Sequence, residues 1–314
     1  MADKGDIFVS YDAMDALWRN SMIRMFGENV PVDFTGARYE GIYPGYGEEI
    51  AAYVEAQSNK RVYALKQIGF SSEDRVIDFG CGWGNMLNEV ENWGGRAIGL
   101  SLSPAQVAYC QEMGLDARLM DWNDYRPDRQ FDGAVSIGAF EHFCSIDAFR
   151  AGRQMEVYHK FFELVHDCLK PQRGFYLQTM IFGGKGVPDL DVDIDPRAPM
   201  NSPRRIIAQW KAYFPGSYLP HNEEQIVEAA SDFFDLTRSE DGREDYVETA
   251  RVWLEAINAP GGLEKWLEWA TFAFKGLGRD ELLTRLQSVR EDAFSRGFAY
   301  DIIGHRRLTF VRKD

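Results

Sequence analysis

The order of apolar and polar positions along the chain predicts helices at the start, followed by strands that alternate with helices. Residues 10–30 and 46–69 mix apolar and charged positions at helical spacing, which predicts two helices before the first strand. In the second of these helices, the residues able to share one inner face are Ala51, Val54, Leu65 and Ile68.

Short apolar segments predict the strands of a sheet. Arg75–Phe79 is β-branched and apolar and lies between SSED and a glycine cluster, which is typical of a buried parallel strand. The other predicted strands are 96–100, 116–119, 131–137, 174–180, 233–237 and 307–312. The helices predicted between the early strands are 85–92, 103–113 and 154–169. Because strands alternate with helices, the pattern indicates an α/β fold with a mostly parallel sheet.

The later part of the chain has a different pattern. Residues 183–204 are rich in Gly, Pro and Asp, whereas 222–231 and 245–303 have largely helical spacing. We interpret these residues as a cap inserted around the last strands. The resulting division is 1–70 for the N-terminal helices, 71–182 for the core, 183–303 for the cap with strand six near 233–237, and 304–314 for the last core strand.

Composition and charge exclude several classes of function. The chain has 314 residues, 45% hydrophobic and 27% charged, so it can form a sizeable core. Its 35 Lys and Arg against 49 Asp and Glu leave a net charge of −14, which repels phosphate backbones, and we expect no nucleic-acid partner. No apolar run approaches the roughly 20 residues of a membrane helix. The N-terminus, MADKGDIFVSYD, also lacks a signal core, so we expect a cytoplasmic protein without membrane insertion.

Cysteine and aspartate patterns predict neither a disulfide framework nor a metal site. The four cysteines are scattered without a CxxC pair, which indicates reduced, structural thiols. Four aspartates alternate in DLDVDID at 189–195. The segment has Gly- and Pro-rich flanks and lacks calcium-loop spacing, so we interpret it as a solvated loop and predict no metal.

The strongest chemical signal is VIDFGCGWG at 76–84, a strand that enters three alternating glycines and then a helix. Glycines let the backbone pass close to a bound nucleoside, and Asp78 can accept from a ligand amine or hold the loop. A tight strand-to-helix turn also needs glycine where nothing binds. A dinucleotide site would have GxGxxG and an acidic residue about 20 positions later. Here Gly84 comes one residue early and the second strand ends in GLSLS without a carboxylate, which favours S-adenosylmethionine over NAD.

Five ordered segments carry a family resemblance that covers nearly the whole chain. They are DFGCGWG at 78–84, GLSLSPAQ at 99–106, VSIGAFEHF at 135–143, FPGSYLP at 214–220 and DYVETARVW at 245–253. With them the sequence resembles the cyclopropane-fatty-acid synthases and mycolic acid methyltransferases, which are class I S-adenosylmethionine-dependent methyltransferases. The resemblance implies a Rossmann-like, seven-stranded, mostly parallel sheet with N-terminal helices that close over the cofactor and a substrate-side helical cap.

The resemblance also implies a set of cofactor-binding residues. Asp78, Gly80 and Gly82 would line the methionine part, Ser101 and Gln106 would hold the ribose, and Trp122 would lie against the adenine. The remaining members of the set are Phe34 and Thr35 in the closing segment and Ile137 at the end of the fourth strand. The residues themselves leave alternatives open, since Trp122 can be a packing residue and Ser103-Pro104 is also an ordinary helix start.

The candidate reacting residues follow the fourth strand and lie in the cap. Glu141 has aromatic neighbours, which would raise its pKa and suit proton transfer, although it can instead order the loop by accepting backbone hydrogen bonds. His142 is adjacent, and in an extended segment only one of the pair faces the substrate. Tyr246 matches the family's tyrosine at the reacting centre, and its alternative role is a buried hydroxyl that ties the cap to the sheet.

Two departures from the family bear on the reaction. In the family a bicarbonate base is held by a Cys, a Glu, a His, a Tyr and a backbone group. Here Gly36 stands at the cysteine position and Gln178 at the histidine position, where an amide can still donate a neutral hydrogen bond. We therefore predict methyl transfer to carbon of an unsaturated, acyl or isoprenoid-like acceptor, free or carrier-bound, with Glu141 as base or acceptor-orienting residue and without the full bicarbonate site.

Other functions and assemblies remain open from the sequence. The same cofactor would serve an O- or N-methyltransferase of a small metabolite, which needs a polar acceptor pocket near Glu141 or His142. A non-catalytic protein that binds S-adenosylmethionine is the third alternative. Homo-oligomerisation is compatible with all three.

Overall fold

A computed structural model of the protein describes residues 19–27, 32–42, 48–185, 198–214, 216–259, 261–262, 265–267, 269–270 and 291–314. The DLDVDID segment lies outside these residues. Of the predicted first helix, 10–30, the described part at 19–26 is helical.

One seven-stranded sheet forms the core, with strand order β3-β2-β1-β4-β5-β7-β6. Its strands are β1 (Arg75–Phe79), β2 (Arg96–Ser101), β3 (Ala117–Leu119), β4 (Phe131–Ile137), β5 (Leu169–Phe182), β6 (Phe234–Asp241) and β7 (Ile303–Arg312). The first five pair in parallel, and β7 runs antiparallel to both β5 and β6. The predicted fold, a seven-stranded and mostly parallel α/β sheet, is confirmed.

Helices lie between and beyond these strands. They are α1 (Glu49–Gln67), α2 (Asn85–Asn92), α3 (Pro104–Glu112), α4 (Ile146–Arg150), α5 (Gln154–Cys168), α6 (Pro203–Tyr213), α7 (Glu223–Ala230), α8 (Arg243–Asn258) and α9 (Ala293–Ala299). Helices α4 and α6 were not predicted. Yet α6 has a clear start, because Ser202 accepts a hydrogen bond from the backbone of Arg205 and Pro203 follows as the first helical residue.

The inner face of α1 differs from the predicted one. Leu65 and Ile68 are buried as expected, but Ala51 is exposed and Val54 is only half-buried. The helix is rotated so that polar residues also face inward, among them Gln57 and Lys60. A pattern of hydrophobic residues cannot identify this face, because it assigns every polar side chain to the solvent side. Buried polar side chains that have hydrogen-bond partners inside the protein are therefore missed.

The topology directs the ends of the strands toward one site. The sheet reverses its strand order between β1 and β4, and in open α/β sheets ligands bind in the crevice outside the carboxyl ends of the strands at such a point. Strand β1 is buried over Val76–Phe79 and enters the glycine turn directly. Strand β2 ends at Ser101 and β4 ends at Ile137, on the same edge.

Aromatic side chains on α6, α8 and α9, the helices of the predicted cap, pack against one another. The Trp210 ring stacks on Phe294 at 4.4 Å, and Tyr246 stacks on Phe298 at 4.2 Å.

Strand β6 is longer than the predicted 233–237. All four cysteines are buried and free. Within the described residues, no helix is long and apolar enough to cross a membrane.

Candidate active site

A cavity of about 850 Å³ opens at the carboxyl ends of β1, β2 and β4. Every residue predicted to bind the cofactor lines it. These residues are Phe34, Thr35, Asp78, Gly80, Gly82, Ser101, Gln106, Trp122 and Ile137. Of the predicted reacting residues, His142 and Tyr246 line the cavity, whereas Glu141 and Gln178 do not.

The glycine turn after β1 is held tightly against its neighbours. The backbone N–H groups of Gly80 and Cys81 both donate to the carbonyl oxygen of Leu100, at 3.0 and 2.9 Å. Gly80 has a φ of 108°, and a Cβ built on it would lie 2.3 Å from the Cβ of Ala139. Glycine is therefore required at position 80 by backbone conformation and by the close approach of the loop after β4.

Asp78 presents a buried carboxylate to the cavity. Its Oδ1 atom makes no hydrogen bond to any described residue. Burial raises the pKa of Asp78 to about 7, and the charge of Asp33 raises it further, while Lys60 opposes them. A buried carboxylate oxygen that lacks a hydrogen-bond donor is stabilised when a ligand donates a hydrogen bond to it. A ligand amine is a suitable donor.

Ser101 and Gln106 form a hydrogen-bonded pair at the end of β2. The Ser101 hydroxyl donates to Oε1 of Gln106 at 3.0 Å, and its oxygen accepts from the backbone of Ser103 at 3.2 Å. Ser103 also caps α3, as its sequence predicted. Trp122 lines the cavity and packs on Phe143 at 5.2 Å, so it serves as a wall and a core residue at once.

The segment at 32–37 is held over the glycine turn by a buried lysine. Lys60 Nζ donates to Asp33 Oδ2 at 2.8 Å, to Thr35 Oγ1 at 2.6 Å and to Gln57 Oε1 at 2.5 Å. A Cβ built on Gly138 would lie 2.7 Å from Thr35 Cγ2, so Thr35 packs directly over the end of β4. Burial lowers the pKa of Lys60 to about 8, and Asp33 opposes this shift.

Sequence reasoning missed Asp33 and Lys60, both of which line the cavity. The sequence does contain one indication, because Lys60 lies three residues after Gln57 and so falls on the same face of α1 as the other buried residues. Without knowledge of the helix rotation, that lysine is indistinguishable from a solvated one.

Aromatic side chains form another wall of the same cavity. The ring centroids of Trp253 lie 6.3 Å from Phe34, 5.8 Å from Tyr246 and 5.9 Å from Phe294. We call the apolar lining residues on this side the aromatic wall, which comprises Phe34, Met180, Phe214, Tyr246, Trp253 and Phe294. Such a surface suits an apolar acceptor, and its ring faces attract positive charge.

His142 adds a polar group beside this wall. Its ring stacks on Phe214 at 5.0 Å, and its Nδ1 atom lies 3.4 Å from the hydroxyl of Ser217. All three residues line the cavity. The structure therefore places His142, rather than Glu141, on the surface of the cavity.

Glu141 lies behind the wall. It is 1% exposed, and its Oε1 atom accepts from the backbone N–H of Met180 at 2.8 Å. Its Oε2 atom is buried without a hydrogen-bond partner among the described residues. Burial raises the pKa of Glu141 to about 7, and hydrogen bonds from its surroundings oppose this shift.

The two positions that depart from the family pattern contact each other. Gln178 Nε2 donates to the carbonyl oxygen of Gly36 at 2.8 Å, and Gln178 Oε1 accepts from the Tyr176 hydroxyl at 3.0 Å. A Cβ built on Gly36 would lie 2.6 Å from the Tyr246 ring and 3.2 Å from the His305 ring. A side chain larger than hydrogen at position 36 therefore has no room here.

The sheet order, the glycine turn after β1 and the cavity at the strand ends define an α/β enzyme with the class I methyltransferase fold. Residues 37–263 match the model of the family described as mycolic acid cyclopropane synthetase. The chain belongs to this family. Its predicted family and enzyme class are confirmed, and the family's cofactor, S-adenosylmethionine, agrees with the predicted one.

Individual relatives support the same assignment. Cyclopropane mycolic acid synthase 2 of Mycobacterium leprae is 32% identical over 219 residues, which cover 65% of this chain and 68% of that protein. Cyclopropane-fatty-acyl-phospholipid synthase of Escherichia coli is 29% identical over 210 residues, 65% of this chain and 47% of that protein.

Solved structures share the fold over nearly the whole chain. Mycolic acid cyclopropane synthase CmaA1, complexed with SAH and CTAB, has a TM-score of 0.70 and 22% identity, covering 98% of both chains. Geranyl diphosphate C-methyltransferase from Streptomyces coelicolor has a TM-score of 0.60 and 15% identity, covering 94% of this chain and 98% of that chain.

Proposed function

We propose that the protein transfers a methyl group from S-adenosylmethionine to a carbon atom of an unsaturated, lipid-like or isoprenoid-like acceptor. The observation that carries the proposal is one cavity of about 850 Å³ lined by both the glycine turn and the aromatic wall. Sites for a single ligand typically measure roughly 300 to 1,000 Å³, so this cavity lies at the large end of that range. Its continuous lining, from the glycine turn to the aromatic wall, is consistent with an acceptor bound beside the cofactor.

The cofactor residues fit the nucleoside by the chemistry of their side chains. Asp78 supplies an acceptor for the amine, and the Ser101–Gln106 pair supplies uncharged hydrogen-bonding groups for the ribose. Trp122 supplies a flat wall for the adenine. When bound, S-adenosylmethionine would supply the methyl group on its positively charged sulfur. An electron-rich carbon can accept this methyl group, and S-adenosylhomocysteine would remain.

The aromatic wall performs two tasks in this proposal. It excludes water from the acceptor, and the faces of Tyr246, Trp253 and Phe34 stabilise positive charge that develops on the acceptor carbon. The methylated acceptor must then lose a proton, which requires a base.

Glu141 is the proposed base. Its Oε2 atom has no hydrogen-bond partner among the described residues, and its pKa of about 7 suits proton transfer near neutral pH. Since Ala139, His142 and Met180 line the cavity and Glu141 does not, the side chain must turn toward the cavity when the acceptor is bound. The geometry around Gly36 and Gln178 supports methylation without a family-type bicarbonate, because Gln178 donates to Gly36 and the Tyr246 ring closes the space beside it.

The proposal is tested with S-adenosylmethionine carrying carbon-13 in its methyl group and a panel of unsaturated fatty acyl and isoprenoid acceptors. We expect a product whose labelled carbon is bonded to carbon, observed by NMR. Label on oxygen or nitrogen would replace the proposal by its alternative, methylation of a polar metabolite, which the His142–Ser217 pair favours. Transfer to any acceptor would exclude a purely non-catalytic role. A cytoplasmic location, a carrier-bound acceptor and a homo-oligomer stay predictions.

A further inference from the structure

The α1 side of the cavity has a cationic residue to which neither the motifs nor the family resemblance assigns a role. Arg61 follows Lys60 on α1 and lines the cavity together with Asp78, Trp83 and Asn85. Its side chain is only 11% exposed. A guanidinium at a cavity wall is a typical partner for a carboxylate, since it offers a planar fork of N–H donors.

Arg61 has donors to spare, unlike Lys60. Its Nε donates to Glu89 Oε2 at 2.9 Å, and its Nη1 lies 3.8 Å from Asp33 Oδ2, which already accepts from Lys60. Within the described parts of the chain, the terminal nitrogens of Arg61 make no hydrogen bond. Lys60, by contrast, uses all three ammonium hydrogens on Asp33, Thr35 and Gln57.

Other basic groups around the cavity do not occupy this place. Arg153, which directly precedes α5, and Lys160, in the middle of α5, also line it. The neighbouring Phe161 on α5 contacts Trp122, the residue proposed to lie against the adenine. Arg19 lies over the Trp83 ring at 5.2 Å but does not line the cavity. Among the described residues, Arg61 is therefore the cation on the α1 wall of the cavity whose terminal nitrogens are not already used in hydrogen bonds.

A carboxylate and a guanidinium on one wall are the complement of an amino acid zwitterion. We propose that Arg61 binds the carboxylate of the cofactor's methionine moiety, while Asp78 accepts from its amine. This inference rests on the proposed function, because it assigns the amino acid end of the same cofactor. It separates Lys60, which holds the segment over the turn, from Arg61, which contacts the ligand.

The test measures the affinity of two ligands by calorimetry, S-adenosylhomocysteine and its decarboxylated analogue, which keeps the nucleoside, the sulfur and the amine. For the wild type we expect S-adenosylhomocysteine to bind about 10- to 100-fold more tightly than the analogue. Arg61→Gln should lose this preference by weakening S-adenosylhomocysteine alone, with the affinity for the analogue unchanged within about twofold. Arg96→Gln, an exposed arginine at the far end of β2, is the matched control and should leave both affinities unchanged.

Equal losses for both ligands in Arg61→Gln would overturn the inference and assign Arg61 a structural role through Glu89. An unchanged preference would overturn it as well. If the wild type binds neither ligand, the proposed cofactor is wrong and the inference fails with it. Should Arg61→Gln not fold, Arg61→Lys keeps the charge without the fork, and we expect it to retain only part of the preference.

Discussion

The proposed cofactor side and the proposed reacting side of one cavity differ in how directly the local sequence determines them. On the cofactor side, every predicted residue lines the cavity, from Phe34 to Ile137. On the reacting side, Glu141 and Gln178 lie behind the wall, and most of the aromatic wall was not assigned to a site in advance. The cofactor side is built from turns at strand ends, whereas the reacting side depends on how the cap packs on the sheet.

The largest effect should come from the reacting side, in Glu141→Gln. The amide still accepts from the Met180 backbone but cannot take a proton, so we expect kcat to fall about 100-fold or more. The affinity for S-adenosylhomocysteine should stay within about twofold, measured by calorimetry. In the wild type, kcat should rise as pH increases through about 7, since the carboxylate must be deprotonated to act.

Retained turnover in Glu141→Gln, with the pH profile unchanged, would exclude Glu141 as base. Glu141 would then have only a structural role, in which its carboxylate orders the end of β5 by accepting from the backbone of Met180.

On the cofactor side, a matched pair of glycine variants should separate folding from binding. Gly80→Ala places a methyl against Ala139 on a backbone with φ of 108°, so we expect a loss of about 2 to 3 kcal/mol in unfolding free energy and weaker cofactor binding. At Gly82, φ is 53° and a Cβ built on it would have no heavy atom within 4 Å beyond its chain neighbours. Gly82→Ala should cost only about 1 kcal/mol of stability while lowering cofactor affinity about tenfold.

Denaturant unfolding and calorimetry check this pair. Equal stability losses for both variants would contradict the assignment of Gly80 to loop packing. Unchanged cofactor affinity in Gly82→Ala would remove Gly82 from the binding surface.

The pH dependence of cofactor binding tests Asp78 on the same side. Because its pKa is raised to about 7, Asp78 is largely protonated at pH 6 and ionised at pH 8. The affinity for S-adenosylhomocysteine should therefore rise by up to about tenfold over this range, since only the ionised form attracts the amine. Asp78→Asn should bind weakly and remove most of the pH dependence. The same slope in wild type and variant would show that another group titrates.

The smallest effect on function is expected at Gln178. Replacing it with Met keeps the volume but removes the hydrogen bonds to Gly36 and Tyr176. We expect a loss of about 1 to 2 kcal/mol in stability, measured by denaturant unfolding, with kcat and cofactor affinity within about twofold of the wild type. A large fall in kcat at unchanged stability would place Gln178 among the reacting residues after all.

The difference between the two sides of the cavity explains how much of the fold and of the site could be predicted from the sequence. The strands, the glycine turn and the residues after β2 and β4 have local signals, because strand ends and turns constrain residue type directly. Lys60 has no signal that can be recognised without knowledge of the rotation of α1, and the same holds for the role proposed for Arg61. His305 is a similar case: it lies on β7 beside Gly36 and Tyr246, where burial holds its pKa well below the usual range.

Transfer of a fully deuterated methyl group tests the central claim most directly. If methylation ends with loss of a proton from the acceptor, the product keeps all three deuterium atoms and an unsaturated bond, as seen by mass spectrometry and NMR. A product that keeps only two deuterium atoms, in a three-membered ring, would contradict the account and show that this cavity closes a cyclopropane despite Gly36 and Gln178.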